Sequence, residues 1–309
     1  MVLNQESIRQ FTNLELFARE VVEGFLTGLH KSPYHGFSVE FAEHRQYNSG
    51  ESIRHVDWKL YGRTEKLFVK KYEEETNLRC QLVIDTSSSM YFPFHNDQAE
   101  PGKRNKLDFA IHAAAALSYL FNRQRDAVGL TTFNNQIDVH MPARGSMSHR
   151  KRMYGELESA LDYSSHDQHS FLVDCLHEVA DSIPRRSLVV LFSDMFDNSG
   201  ESLDELFSAI QHLRHNKHEV IVFNVLDRSK ERELNFEDRP YRFVDPETGE
   251  EVKLNPLSIR KNYQKHMEEY QHQLELKCGQ YSVDYQEVDI NEGFEPVLLA
   301  YLVKRSKLP

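Results

Sequence analysis

The sequence predicts an α/β protein built on a mostly parallel sheet, and three observations carry that prediction. The runs "QLVID", "SLVVLFSD" and "EVIVFNVLD", ending at or containing Asp85, Asp194 and Asp227, are too continuously apolar for half-exposed antiparallel strands. Helical patterns lie between them, so strand and helix alternate. "AVGLTTF" leads through Asn134 and Asn135 into "QIDVHMP", where apolar and polar residues alternate; this predicts a hairpin and one antiparallel edge strand.

Taken in order, the chain opens with Thr12 and Glu15 at capping-box spacing. Leu14, Phe17, Ala18, Val21 and Phe25 follow at intervals of three and four, which predicts an amphipathic helix of about four turns. From Phe37 the period changes to two, through Val39 and Phe41, and "KLFVKKY" gives a second extended run, so residues 34–78 read as strand-rich. Leu107, Ala110, Ile111, Ala114, Leu117 and Phe121 mark the first buried helix, and Leu172, Leu176, Val179 and Ile183 the second. Leu203, Leu206, Phe207, Ile210 and Leu213 mark a third behind the capping pair Ser202 and Glu205. Residues 230–256 are charged and end in "DPETGEEVKLNP", whose Pro and Gly punctuation predicts a hairpin or loop insertion. A polar helix over about 258–277, a strand at "QYSVDYQEVDI" and a closing helix at "EPVLLAYLVKR" complete the chain. The expected division is an accessory segment over 1–78 and a main domain over 79–309.

Composition narrows the function. The excess of 48 acidic over 37 basic residues gives a net charge of −11, which opposes non-specific attraction to nucleic acid and anionic lipid. Cys80, Cys175 and Cys278 are far apart, which fits free thiols in a reducing compartment and excludes a zinc knuckle. No basic-then-apolar signal layout opens the chain, and no run of about 18 apolar residues would span a membrane; a cytoplasmic location is expected.

The chemistry gathers at "VIDTSSSM". In a parallel sheet covered by helices on both faces, ligands sit outside the carboxyl ends of the strands, where Asp85 and Asp194 fall. The alternation of Asp85 with Ser87 and Ser89 lets a tight loop aim three oxygens at one point, a donor set suited to Mg²⁺ or Mn²⁺. Serines after a strand also cap helices and form turns, so this stretch alone carries both readings. Ser170, opening a helix just before Leu172, adds a third oxygen-bearing loop and is equally placed to be an N-cap.

These residues resemble the von Willebrand factor A domain and its metal-ion-dependent adhesion site, whose pattern is Asp-x-Ser-x-Ser, a distant Thr and a distant Asp. The likeness covers about residues 79–309 and implies a doubly wound sheet. It also implies a metal group of Asp85, Ser87, Ser89, Ser170 and Asp194, with Ser170 in place of the usual Thr. Upstream, "GFSVEFAEHRQYNSGESIRHVDWKLYGRTEKLFVKKYEEE" is similar to the signature of the bacterial family called domain of unknown function 58. The positions carrying it are Arg45, Tyr47, Gly50, Glu51, Arg54, Asp57, Trp58 and Arg63, with Glu51 where the family more often has Asp, followed by "VGL" at 128–130 and "ETGE" at 247–250. That resemblance implies a von Willebrand A-like domain behind a small accessory segment, and a MoxR-type AAA+ ATPase as partner.

The expected role is a non-catalytic protein-interaction module. Ser87, Ser89 and Ser170 would bind the ion, Asp85 and Asp194 would orient hydroxyls and waters, and a partner carboxylate would complete the coordination. Arg45, Arg54 and Arg63 suit a partner carboxylate as well as a structural ion-pair network. Trp58 and Tyr47 are expected in the core. His212, His215 and His218 fit a solvated helix face better than a transition-metal site. Two competing classes stand beside this reading. One is a Mg²⁺-dependent phosphotransferase or phosphatase using Asp85, against which Ser87 occupies the place of the usual second acid. The other is a metal-independent scaffold. No phosphate-cradling Gly-rich loop and no Gly-x-Ser-x-Gly elbow occurs.

Overall fold

The computed structural model describes residues 13–30, 44–46, 61–63, 68–70, 78–93, 103–162, 172–195, 203–245 and 249–307. The chain falls into two compact units, one formed by Met1–Gly28 with Leu78–Pro309 and the other by Leu29–Asn77. Helix α1 (Leu14–His30) therefore begins in the larger unit.

The larger unit is an α/β structure around a six-stranded sheet. Its strands are β3 (Arg79–Asp85), β4 (Ala127–Phe133), β5 (Ile137–Arg144), β6 (Leu188–Ser193), β7 (Glu219–Leu226) and β10 (Asp284–Asp289), lying in the order β10-β7-β6-β3-β4-β5. Every neighbouring pair is parallel except β4 with β5, which run antiparallel at one edge. The three continuous apolar runs are thus parallel strands, buried along nearly their whole length.

Alternate side chains of each strand serve opposite faces. Val83, Val189, Leu191, Val220 and Val222 pack into one core with Leu172, Leu176 and Val179 of α4 (Leu172–Ser182), Phe207 and Ile210 of α5 (Leu203–His215), and Leu274 and Cys278 of α6 (Pro256–Gln280). On the other face lies α2 (Lys106–Arg123), a helix of alanines and large apolar residues buried along most of its length. It meets α7 (Glu295–Lys307) through Phe121 against Tyr301, at 4.5 Å between ring centroids. It meets α3 (Met147–Asp162) through the Tyr154 hydroxyl, which donates to the Ala115 carbonyl. Phe17 of α1 stands edge-on to His112 and Phe294, which seats that helix on the same side.

Helix α1 is capped by Asn13, whose Oδ1 accepts from the amides of Glu15 and Leu16; the expected cap, Thr12, lies outside the described residues, as does Ser202. Helix α3 had no counterpart in the sequence reading. The segment 230–256 begins in a wide helical turn (Arg228–Arg232) and closes in an antiparallel hairpin of β8 (Tyr241–Val244) with β9 (Glu251–Leu254), in line with its turn-rich composition. In the smaller unit, β1 (His44–Gln46) pairs antiparallel with β2 (Phe68–Lys70), and residues 61–63 form a helical turn. The alternating stretch from Phe37 to Phe41, and Tyr47 and Trp58, lie outside the described residues. Among those residues no helix is long and apolar enough to cross a membrane.

Candidate functional site

The strand order reverses at β3 and β6. From β3 the chain moves to β4 and β5 on one side, and from β6 to β7 on the other, so the carboxyl ends of these two neighbours mark the switch point at which open α/β sheets hold their ligands. The last paired residues are Ile84 and Phe192, and one position further lie Asp85 and Ser193.

Asp85 is fully buried and both of its oxygens are engaged. Oδ1 accepts from the Ser87 amide at 3.0 Å, and Oδ2 accepts from the Ser193 hydroxyl at 2.8 Å. Burial, then the charge of Asp194, push its pKa up to about 7, against the opposing hydrogen bonds from Ser87 and Ser193. The loop is tied to β4 by Thr86, whose amide and hydroxyl both donate to the Phe133 carbonyl, at 2.8 and 2.9 Å.

Ser87 stands at the N-cap of a short 3-10 turn (Ser88–Tyr91), yet its side chain makes no capping hydrogen bond. Its hydroxyl instead faces Ser89 Oγ at 3.1 Å. The capping alternative raised by the sequence therefore does not account for Ser87.

Asp194 follows β6 directly. The next residue, Met195, takes a left-handed backbone (φ 57°) that bends the chain sharply; its amide donates to Ser193 Oγ, and its carbonyl accepts from the Tyr270 hydroxyl. Asp194 Oδ2 accepts from Lys106 Nζ at 2.8 Å, and the same ammonium donates to Glu231 Oε1 at 2.7 Å. Lys106 and Asp194 are each 1% exposed. Burial acts to lower the Lys106 pKa, but Asp194 and then Glu231 more than offset it, so the amine stays protonated. Lys106 is placed by helix α2, of which it is the first residue, behind the Asn105 cap, whose Oδ1 accepts from the Asp108 amide at 2.8 Å. Glu231 is fixed through its second oxygen, which accepts from the Asp227 amide at 2.7 Å.

The structure thus brings Asp85, Ser87, Ser89 and Asp194 to one rim. Ser170 and Arg54 lie outside the described residues; Arg45 sits in β1 and Arg63 is exposed in the turn 61–63, both in the smaller unit. Sequence reasoning missed Ser193, Glu231 and the role of Lys106. "NKLD" carried a usable signal for Lys106, a capping residue at the start of a buried helix with a lysine at its first position; nothing local marked Glu231.

Whether these residues fit a hard cation turns on the two hydroxyls. Adjacent oxygens around an octahedral Mg²⁺ at about 2.1 Å lie about 3.0 Å apart. The Ser87 and Ser89 oxygens, hydrogen-bonded to one another at 3.1 Å, already have that spacing, and an ion would take the place of the bond between them. Asp85 and Asp194 would be the nearby acceptors for water on such an ion. No group of three or more His, Cys, Asp or Glu side chains gathers as a metal cage among the described residues, so such an ion would depend on hydroxyls and water.

A family model described as "Protein of unknown function DUF58" matches residues 43–273. The chain belongs to the DUF58 family. Among curated relatives, uncharacterized protein Rv1480 of Mycobacterium tuberculosis (strain ATCC 25618 / H37Rv) and uncharacterized protein Mb1516 of Mycobacterium bovis (strain ATCC BAA-935 / AF2122/97) are each 29% identical over 140 residues, 45% of this chain and 42% of theirs. The chain thus spans about two fifths of the curated relatives it matches. Among solved structures, this DUF58 chain is similar to the conserved hypothetical protein BatB from Bacteroides thetaiotaomicron, with a TM-score of 0.41 and 14% identity over 74% of this chain and 98% of that one. It is also similar to the PilB minor pilin from Streptococcus sanguinis, with a TM-score of 0.43 and 9% identity over 78% and 64%.

Proposed function

We propose that this DUF58 protein is a non-catalytic interaction module of von Willebrand A-like winding, whose rim binds a divalent cation and through it a carboxylate of a partner protein. The observation that carries the reading is the hydroxyl pair of Ser87 and Ser89, freed from capping and spaced like adjacent ligands of one Mg²⁺. Ser170 is the proposed third hydroxyl. The ion, Mg²⁺ or Mn²⁺, would supply a positive centre with exchangeable water positions. Asp85 and Asp194 would orient its waters, and the partner's acid group would displace one of them. The proposed partner is a MoxR-type AAA+ ATPase, with the complex serving the assembly of other proteins or metal centres; this rests on the family likeness alone.

A reading in which Asp85 accepts a phosphoryl group is less well supported. That carboxylate is fully buried and both oxygens accept hydrogen bonds from the chain, whereas a phosphoacceptor must present an oxygen to its donor.

Calorimetric titration with Mg²⁺ and Mn²⁺ tests the proposal. Wild type is expected to give a saturable heat that Asp85→Ala and Ser87→Ala/Ser89→Ala lose. Equal heats from wild type and Asp85→Ala reject the site, and metal-dependent phosphate release abolished in Asp85→Asn would transfer the protein to the enzyme class.

A further inference from the structure

The rim already contains a cation, and it is covalently part of the chain. We propose that Lys106 is the built-in counter-ion of the rim, satisfying Asp194 in the metal-free protein, and that a divalent ion binds there only in competition with it. The second half of this inference rests on the cation reading above; the first half stands on geometry alone.

A buried carboxylate without a partner is costly, so Asp194 requires a positive charge or a set of donors beside it. Lys106 supplies the charge at 2.8 Å, from a side chain that is 1% exposed. Three features hold the ammonium there. Glu231 accepts from it at 2.7 Å, the nitrogen lies 5.7 Å from the centroid of the Phe92 ring, and the Asn105 cap fixes the helix start from which the side chain reaches out. Glu231 is itself held by the Asp227 amide, so the ammonium is clamped between acceptors from two separate loops.

An ion seated on the serine hydroxyls would need the same Asp194 to order its water, and would bring two positive charges beside a third that is already buried. Repulsion between like charges a few ångströms apart at a protein rim is large enough to change affinity by at least about tenfold. Lysine is a point charge on a flexible stem, so it can yield Asp194 to the ion while keeping Glu231. The rim therefore has two arrangements, one with Lys106 shared by Asp194 and Glu231 and one with the metal beside Asp194 and Lys106 on Glu231 alone. Lys106 would set how much divalent ion is needed to pass between them.

The test uses the full chain as wild type, Lys106→Met, Lys106→Gln, Asp194→Asn and Lys106→Met/Asp194→Asn, measured by thermal unfolding without metal and by Mn²⁺ titration followed by electron paramagnetic resonance. Lys106→Gln keeps amide donors for both carboxylates and so preserves a folded sample if the Met variant is lost. Without metal, Lys106→Met is expected to lower the Tm by about 5–10 °C, and adding Asp194→Asn to restore much of that loss. Strictly additive Tm losses would overturn the counter-ion role. With metal, Lys106→Gln and Lys106→Met are expected to bind Mn²⁺ at least about tenfold more tightly than wild type. Equal or weaker binding in both would overturn the competition. If no variant binds Mn²⁺, the cation reading of the preceding subsection falls and the competition with it. The unfolding cycle then decides the counter-ion role by itself, coupling supporting it and additivity removing it.

Discussion

Ser193 Oγ donates to Asp85 Oδ2 at 2.8 Å, joining the ends of the two central strands at the point where strand order reverses. The same oxygen accepts from the Met195 amide at 3.0 Å, so one hydroxyl holds both a carboxylate of β3 and the bend that aims Asp194.

Ser193→Ala is therefore expected to lose about 1–3 kcal/mol of unfolding free energy, the range for a buried acceptor left without its donor. Urea denaturation should show a lower midpoint with an unchanged slope. Mn²⁺ affinity should fall in the same variant, because Asp85 and Asp194 both lose alignment. A variant as stable as wild type would mean that this hydroxyl does not bear on the rim.

Gly129 marks where β4 passes beneath the bulged edge strand. A Cβ there would lie 2.6 Å from the Met141 carbonyl oxygen and 2.8 Å from the Ala143 nitrogen, and would press on the Gln81 side chain, which bonds both Thr131 Oγ1 and the Met141 carbonyl. Backbone cannot yield as a side-chain tip can, so Gly129→Ala is expected to cost about 1–3 kcal/mol, as overpacking does. Amide hydrogen exchange should quicken first in β5.

Asn105→Ala removes the cap of α2 and with it the anchor of Lys106. The expected loss is about 1 kcal/mol in a chemical denaturation curve. Because the ammonium is then less firmly placed, Mn²⁺ binding should tighten slightly rather than weaken. Weaker binding would show that the cap supports the cation site directly.

Glu219 gives a pH test away from the rim. Burial acts to raise its pKa, but the hydrogen bonds from Lys304 at 2.6 Å and Arg214 at 3.0 Å prevail, and the folded value lies below the ordinary one. A depressed carboxylate stabilises the fold above its unfolded pKa, near about 4.3, and loses that contribution as pH falls through the folded value. Glu219→Gln should therefore be less stable than wild type at neutral pH, by up to about 1 kcal/mol for a partly exposed pair, and the difference should close below about pH 4. A difference that persists in acid would assign the effect to packing.

Much of the frame was legible because its signals are local. Runs such as "QLVID" and "SLVVLFSD" announce buried strands, and the alternation at "QIDVHMP" announces the edge. Helix α3 was not legible, since among its described side chains only Met153, Tyr154 and Leu157 are buried and its first turns are basic and mostly exposed. At the rim, Asp85, Ser87 and Ser89 fall within five residues and Asp194 ends an obvious strand, so topology placed them together. Lys106 was visible as a residue at a helix start but not as a buried charge. Its burial depends on Glu231, 125 residues away, and on a loop geometry that no spacing rule encodes.

Glu231 touches the ammonium with one oxygen and the Asp227 backbone with the other. One glutamate therefore ties a charge buried beneath the sheet's end to the turn Arg228–Arg232 that precedes the β8–β9 hairpin. Replacing Glu231 alone would loosen two places at once, the seat of the ammonium and the start of that turn.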